Sequence, residues 1–174
     1  MQYREGQRTV RQPLYTVEER LRRDASVWTL VQGVLAPVQF AVFLISLGLV
    51  LRYLTTGQGY GAATISIVIK TLALYTIMIT GAIWEKQVFG RYLFAPAFYW
   101  EDLVSMLVIA LHTAYIFGLY SGALGNAGLM YLALAAYAAY VINAAQFVWK
   151  LRMARLQGPA GSLDVSSSGL ELAQ

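Results

Sequence analysis

The sequence predicts an all-α integral membrane protein, a four-transmembrane-helix bundle with a short cytoplasmic N-terminal helix. Three observations carry this. Four apolar stretches, about 27–54, 62–84, 103–120 and 127–149, each approach or exceed the ~20 residues that a helix needs to cross a hydrocarbon core. Hydrophobic residues make up 58% of the 174-residue chain, too many for an ordinary soluble domain. A segment inside a bilayer must satisfy its own backbone hydrogen bonds, which selects helices.

The elements follow in order. Residues 1–26 read as a cytoplasmic basic arm, flexible to about residue 14, that ends in a short surface helix. Thr16-Val-Glu-Glu19 fits a capping box, a Thr followed three residues later by Glu, and opens that helix over 17–26. The charged start and the length of the first apolar run do not fit a signal peptide, so helix 1 is expected to remain in the mature protein. Pro37 falls inside helix 1, where it should kink the helix or remove one backbone bond. Thr55–Gly61 is a Gly-rich turn, and Ser121–Asn126 is another. The longest connection is expected over 85–99, with Gly90, Pro96 and the aromatics Phe89, Tyr92, Phe94, Phe98 and Tyr99. The alanines of helix 4, from Ala133 to Ala145, permit close helix packing. The transmembrane domain thus occupies 27–155, and the Gly/Ser-rich residues 156–174 read as a disordered cytoplasmic tail.

Charge distribution sets the expected topology. Arg4, Arg8, Arg11, Arg20, Arg22 and Arg23 precede helix 1; Lys86 and Arg91 lie between helices 2 and 3; Lys150, Arg152 and Arg155 follow helix 4. Arg52 alone sits at the other end of the bundle. This asymmetry places both termini and the loop between helices 2 and 3 in the cytoplasm. It also accounts for the net charge of +4 as a topology and lipid-contact signal, which argues against a nucleic-acid partner.

Composition excludes several chemistries. The chain has no cysteine, so disulfides, thiol catalysis and Cys-ligated metal centres are ruled out. The single histidine, His112, rules out a bis-histidine haem within one protomer and a zinc site built from several histidines.

Polar residues at membrane depth are the candidate functional groups. Glu101, Ser105 and His112 share one face of helix 3, with His112 roughly 15 Å deeper than Glu101. Gln32, Gln39 and Ser46 form a stripe on helix 1, and Asn143 and Gln146 are neighbours on helix 4. Glu85 and Lys86 end helix 2 at the level of Glu101 and Asp102. Lys70 lies nearer the periplasmic side, where it either snorkels to the surface or serves the interior. The alternatives for the others are interhelical hydrogen bonding for the amides, solvation for the charged cluster and an aromatic belt for Trp28, Trp84, Trp100 and Trp149. Convergence on the cytoplasmic half suits a cavity for a large, flat, mostly apolar ligand with one polar end. Gln39, Asn143, Gln146 and Trp100 are candidate ligand contacts in it.

Four segments resemble a known family. They are Ser26-Val-Trp-Thr-Leu-Val-Gln-Gly-Val-Leu-Ala-Pro-Val-Gln-Phe40, Trp84-Glu-Lys-Gln-Val-Phe-Gly-Arg-Tyr-Leu-Phe-Ala-Pro-Ala-Phe-Tyr-Trp-Glu-Asp102, Ala110-Leu-His-Thr-Ala-Tyr115 and Tyr140-Val-Ile-Asn-Ala-Ala-Gln-Phe147. Together they are similar to the 3-vinyl bacteriochlorophyllide hydratases, small integral membrane enzymes of bacteriochlorophyll biosynthesis, over about residues 15–155. The resemblance implies addition of water across the 3-vinyl group of chlorophyllide a or a bacteriochlorin relative, giving a 1-hydroxyethyl group. It implies no organic cofactor, since the substrate brings its own Mg²⁺ and a free propionate. It also implies a photosynthetic membrane and other pigment-biosynthesis enzymes as neighbours.

That chemistry needs a general acid to protonate the terminal vinyl carbon and a base to orient water. Two carboxylates can divide these roles. Glu85 and Glu101 are the first pair, with Asp102 in reserve. His112 is expected to ligate the substrate Mg²⁺ or to move the proton, and Lys86 or Arg91 to meet the propionate. The aromatics of 89–100 are expected to stack on the macrocycle. The alternative is a non-catalytic pigment-binding or assembly subunit, in which His112 is a permanent Mg ligand.

Overall fold

The computed structural model describes residues 14–156, which form five helices: α1 (Val17–Ala25), α2 (Val27–Thr56), α3 (Tyr60–Phe89), α4 (Tyr99–Ser121) and α5 (Asn126–Leu156). The last four are long and apolar enough to cross a membrane. The flexible arm expected before residue 14 and the tail expected beyond Leu156 lie outside the described residues.

Local chemistry explains the boundaries. Thr16 accepts a bond from the Glu19 amide while Glu19 reaches back to the Thr16 amide at 2.8 Å, so the capping box forms. Ser26 then serves both neighbours. It ends α1, caps α2 by accepting from the Trp28 amide, and donates to Gln87 Oε1 of α3 at 2.5 Å. The surface helix is therefore separated from the first span by a single residue. α2 continues as one helix through Pro37.

The spans are longer than the apolar stretches. α3 runs to Phe89 rather than 84, α4 begins at Tyr99 rather than 103, and α5 continues to Leu156 rather than 149. Backbone hydrogen bonding persists past the last apolar residue until a stop signal arrives. For α3 the stop is Gly90, whose φ of 82° is the left-handed conformation that glycine adopts without strain. The long connection therefore shrinks to residues 90–98. Glu85 lies in the last turns of α3, and Glu101 and Asp102 in the first turn of α4, at the helix ends where the sequence placed them.

α2 packs along α3, and α4 along α5, as two antiparallel hairpins joined by a thinner seam. The apolar core crosses that seam. Phe43 of α2 meets Tyr137 and Tyr140 of α5 at ring distances of 5.4 and 5.1 Å, with Ile67, Leu74, Val108 and Met130 buried around them. A second cluster closes the end that carries both described termini: Tyr15 stacks on Phe89, Phe98 stacks on Phe147, and Trp84 lies edge-on between them.

Candidate active site

Two polar centres lie on the seam between the hairpins. The first is at the end of the bundle where α3 stops and α4 starts. Glu85 and Asp102 are neighbours there, close enough for each carboxyl group to act on the other. Two ionised carboxylates can only accept and repel one another, so such a pair is suited to holding one proton between them. The loop between the helices supplies two successive amides: Phe94 N–H donates to Asp102 Oδ2 at 2.7 Å and Ala95 N–H to Glu85 Oε2 at 3.3 Å. Phe94 achieves this with φ 57°, a left-handed conformation that costs a non-glycine residue about 1 kcal/mol or more. The loop is thus bent to aim amides at the carboxyl pair, an arrangement that favours negative charge there. Both acids are buried, at 5% and 3% exposure.

Glu101 takes a different partner. Its Oε2 pairs with Lys150 Nζ at 2.5 Å, and that ammonium also lies 5.0 Å from the centre of the Phe98 ring. The pair expected from the sequence, Glu85 with Glu101, is therefore replaced by Glu85 with Asp102, while Glu101 is neutralised from α5. One turn further in, Asn143 Nδ2 donates to Ser105 Oγ at 2.8 Å. Asn143 Oδ1 and Gln146 Oε1 are buried without a protein partner.

The second centre is deeper. Lys70 is fully buried, so of the two readings open from the sequence it serves the interior rather than the surface. Its Nζ donates to Gln39 Oε1 and sits 3.6 Å from the centre of the Tyr140 ring. Beside it, Tyr137 OH, Ser46 Oγ and Ser66 Oγ form a hydrogen-bonded chain with contacts of 2.5 and 2.7 Å. His112 is also fully buried, 5.9 Å ring to ring from Tyr137. Its Nδ1 lies 2.8 Å from the Val108 carbonyl oxygen. A carbonyl only accepts, so Nδ1 carries the hydrogen and the neutral ring presents a bare lone pair at Nε2. That Nε2 is buried without a partner.

Other sequence candidates fall outside both centres. Lys86 is exposed, donates to the Gly90 carbonyl at 2.8 Å and lies 5.4 Å from the Tyr92 ring centre. Arg91 is exposed, and Trp100 is 66% exposed on the outer surface of α4. Gln32 donates to Thr80 Oγ1 at 2.7 Å and ties α2 to α3. Sequence reasoning missed Lys150 and the Phe94 and Ala95 amides. Lys150 was open to detection, because Asn143, Gln146 and Lys150 fall at i, i+3 and i+7 on one helical stripe. The loop amides carry no side-chain signal and were not.

Comparison with known proteins identifies the family. The family model described as 2-vinyl bacteriochlorophyllide hydratase matches residues 15–153. The 2-vinyl bacteriochlorophyllide hydratase of Rhodobacter capsulatus is 65% identical over 161 residues, 92% of each chain. The protein of that name from Cereibacter sphaeroides is 72% identical over 144 residues, 82% of this chain and 89% of its own. No solved structure matches. A family match spanning both polar centres and all four long helices, with two such relatives, shows that the chain belongs to the 2-vinyl bacteriochlorophyllide hydratase family.

Proposed function

We propose that this protein is a hydro-lyase of bacteriochlorophyll biosynthesis, adding water to the ring vinyl group of chlorophyllide a or bacteriochlorophyllide to give a 1-hydroxyethyl group. Position 2 in the relatives' names and position 3 in systematic macrocycle numbering are the same substituent. The observation that carries the mechanism is the buried Glu85–Asp102 carboxyl pair met by two loop amides, which we read as sharing one proton.

The pair transfers its proton to the terminal vinyl carbon, forming a C–H bond and consuming the C=C π electrons. The cation left on the inner carbon is delocalised into the macrocycle. It is also stabilised by the carboxylates, which are now both ionised and supported by the Phe94 and Ala95 amides. Water attacks that carbon from the seam and gives up a proton to the carboxylate pair, which returns to its starting state. The sum is one water added. The reaction needs no organic cofactor, and the only metal is the Mg²⁺ that the substrate carries.

His112 Nε2, a buried lone pair fixed in its tautomer by the Val108 carbonyl, would hold that Mg²⁺ and so position the macrocycle. Asn143 and Gln146 line the path between the two centres, and Lys86 or Arg91 meets the propionate at the rim. The Lys and Arg distribution supports a cytoplasmic position for both termini and for the carboxyl end, in the photosynthetic inner membrane beside other pigment-biosynthesis enzymes. Membranes containing the protein, incubated with chlorophyllide a in ¹⁸O-labelled water, test the reading. Loss of the vinyl group with one labelled oxygen gained supports it, and an unchanged vinyl group refutes it.

A further inference from the structure

Lys70 is the buried charge-bearing group that this mechanism does not use. It is completely enclosed and makes no ion pair among the described residues. Its Nζ spends one hydrogen on Gln39 Oε1, and its other neighbour is the face of Tyr140. The Gln39 amide is only half satisfied: Oε1 is taken, while Nε2 is buried without a partner. Two donor groups with hydrogens to spare therefore sit side by side in the apolar interior, where an unmet donor is expensive. What complements them is an oxygen with two lone pairs, held in a flat apolar body.

Their place along the bundle narrows the choice. Gln39 and Lys70 belong to one hairpin and Tyr140 and His112 to the other, so this centre straddles the same seam as the carboxyl pair. His112 lies ten residues along α4 from Asp102, ~15 Å of helix rise. On α3, Lys70 lies fifteen residues from Glu85, ~22 Å of helix rise, so along the backbone His112 falls between the carboxyl pair and Lys70. In a bacteriochlorophyllide the vinyl group, the Mg²⁺ and the ring ketone also lie on one line, with the ketone at the opposite edge. By ordinary bond lengths the vinyl terminus and the ketone oxygen are roughly 13 Å apart, with the metal midway. A hydrogen bond of ~3 Å at each end brings the span to roughly 19 Å, comparable with the ~22 Å of helix rise between Glu85 and Lys70.

We propose that Lys70 and Gln39 form a hydrogen-bonding anchor for the ring ketone, at the edge of the macrocycle opposite the reacting vinyl group. This rests on the hydratase reading and deepens it, since it assigns the substrate's orientation in the seam. Together with His112 on the metal, the anchor fixes the macrocycle at two points and presents the vinyl group to Glu85 and Asp102. It makes Lys70 and Gln39 specificity residues rather than catalytic ones.

The test uses the full-length protein in nanodiscs and the 3-ethyl analogue of chlorophyllide a, which binds but has no vinyl group to hydrate. The vibrational spectrum of the bound pigment is read at the ketone stretch. We expect it lowered relative to the pigment in dry aprotic solvent, and restored toward the solvent value in Gln39→Leu and in Lys70→Met. In the wild type, the analogue whose ring ketone is reduced to a methylene should bind roughly tenfold or more weakly, as loss of a charge-assisted hydrogen bond implies. Gln39→Leu should shrink that difference, and the double variant Gln39→Leu/Lys70→Met, which leaves no buried ammonium without an acceptor, should erase it. A free ketone frequency in the wild type, or equal binding of both analogues, overturns the proposal and points to an internal water as the occupant. The ethyl analogue does not turn over, so this result is independent of whether wild-type protein hydrates chlorophyllide a.

Discussion

Replacing Glu85 by glutamine separates proton transfer from structure. Glu85 Oε2 accepts the Ala95 amide at 3.3 Å, and its carboxyl group lies beside that of Asp102, with which we propose it shares a proton. The Gln amide oxygen can keep the first bond, and its NH₂ can donate to an ionised Asp102, so both contacts survive. The stability change should then stay within about 1 kcal/mol. What disappears is the transferable proton. General acid catalysis is worth roughly 10²–10⁴-fold, so turnover of chlorophyllide a should fall by at least two decades, about 2.7 kcal/mol of barrier. Glu85→Ala differs in kind. It strands the Ala95 amide, which is fully buried, and leaves Asp102 without its partner. At about 1–3 kcal/mol per unmet buried group, it should lower the melting temperature as well as the rate. The assay follows loss of vinyl absorption in nanodiscs alongside thermal unfolding of the same samples. A Gln variant that hydrates the vinyl group at the wild-type rate would refute the proton-donor assignment.

Further outcomes follow from the same contacts. Asp102→Asn keeps an acceptor for the Phe94 amide and should match Glu85→Gln, with turnover lost and pigment binding kept, as read by kcat against KM. His112→Ala should weaken pigment binding severalfold or more, and added imidazole should restore it in part. No rescue and unchanged pigment affinity would remove His112 as the metal ligand. Lys150→Met leaves Glu101 uncompensated at 9% side-chain exposure and should destabilise the protein by about 3 kcal/mol, whereas the double variant with Glu101→Gln should recover most of that loss. Reporter fusions at Gly57 and Gly125 should read periplasmic and a fusion after Arg155 cytoplasmic. A cytoplasmic signal at Gly125 would overturn the proposed orientation.

The sequence by itself determined the class of fold, because span length and apolar composition are properties of a segment alone. Four stretches long enough to cross a bilayer became four long helices, and the Thr16–Glu19 capping box, written in side chains three residues apart, formed as read. The family was legible for the same reason, in contiguous segments such as Trp84–Asp102. Only the tertiary structure decided which polar groups meet. Helix spacing shows that Glu101 and Asp102 occupy one level, but they point about 100° apart on the helix. Which of the two faces Glu85 depends on how α4 is rotated against α3. Glu101, Ser105 and His112 mark one face of α4, but α3 is apolar on nearly every side, so that stripe does not fix which carboxyl group meets Glu85. The packing turned Asp102 toward Glu85 and gave Glu101 to Lys150. Lys70 makes the same point in depth. Its position on α3 is compatible with a side chain reaching outward to the headgroups, and only the nearness of Gln39 and Tyr140, on two other helices, draws it into the interior.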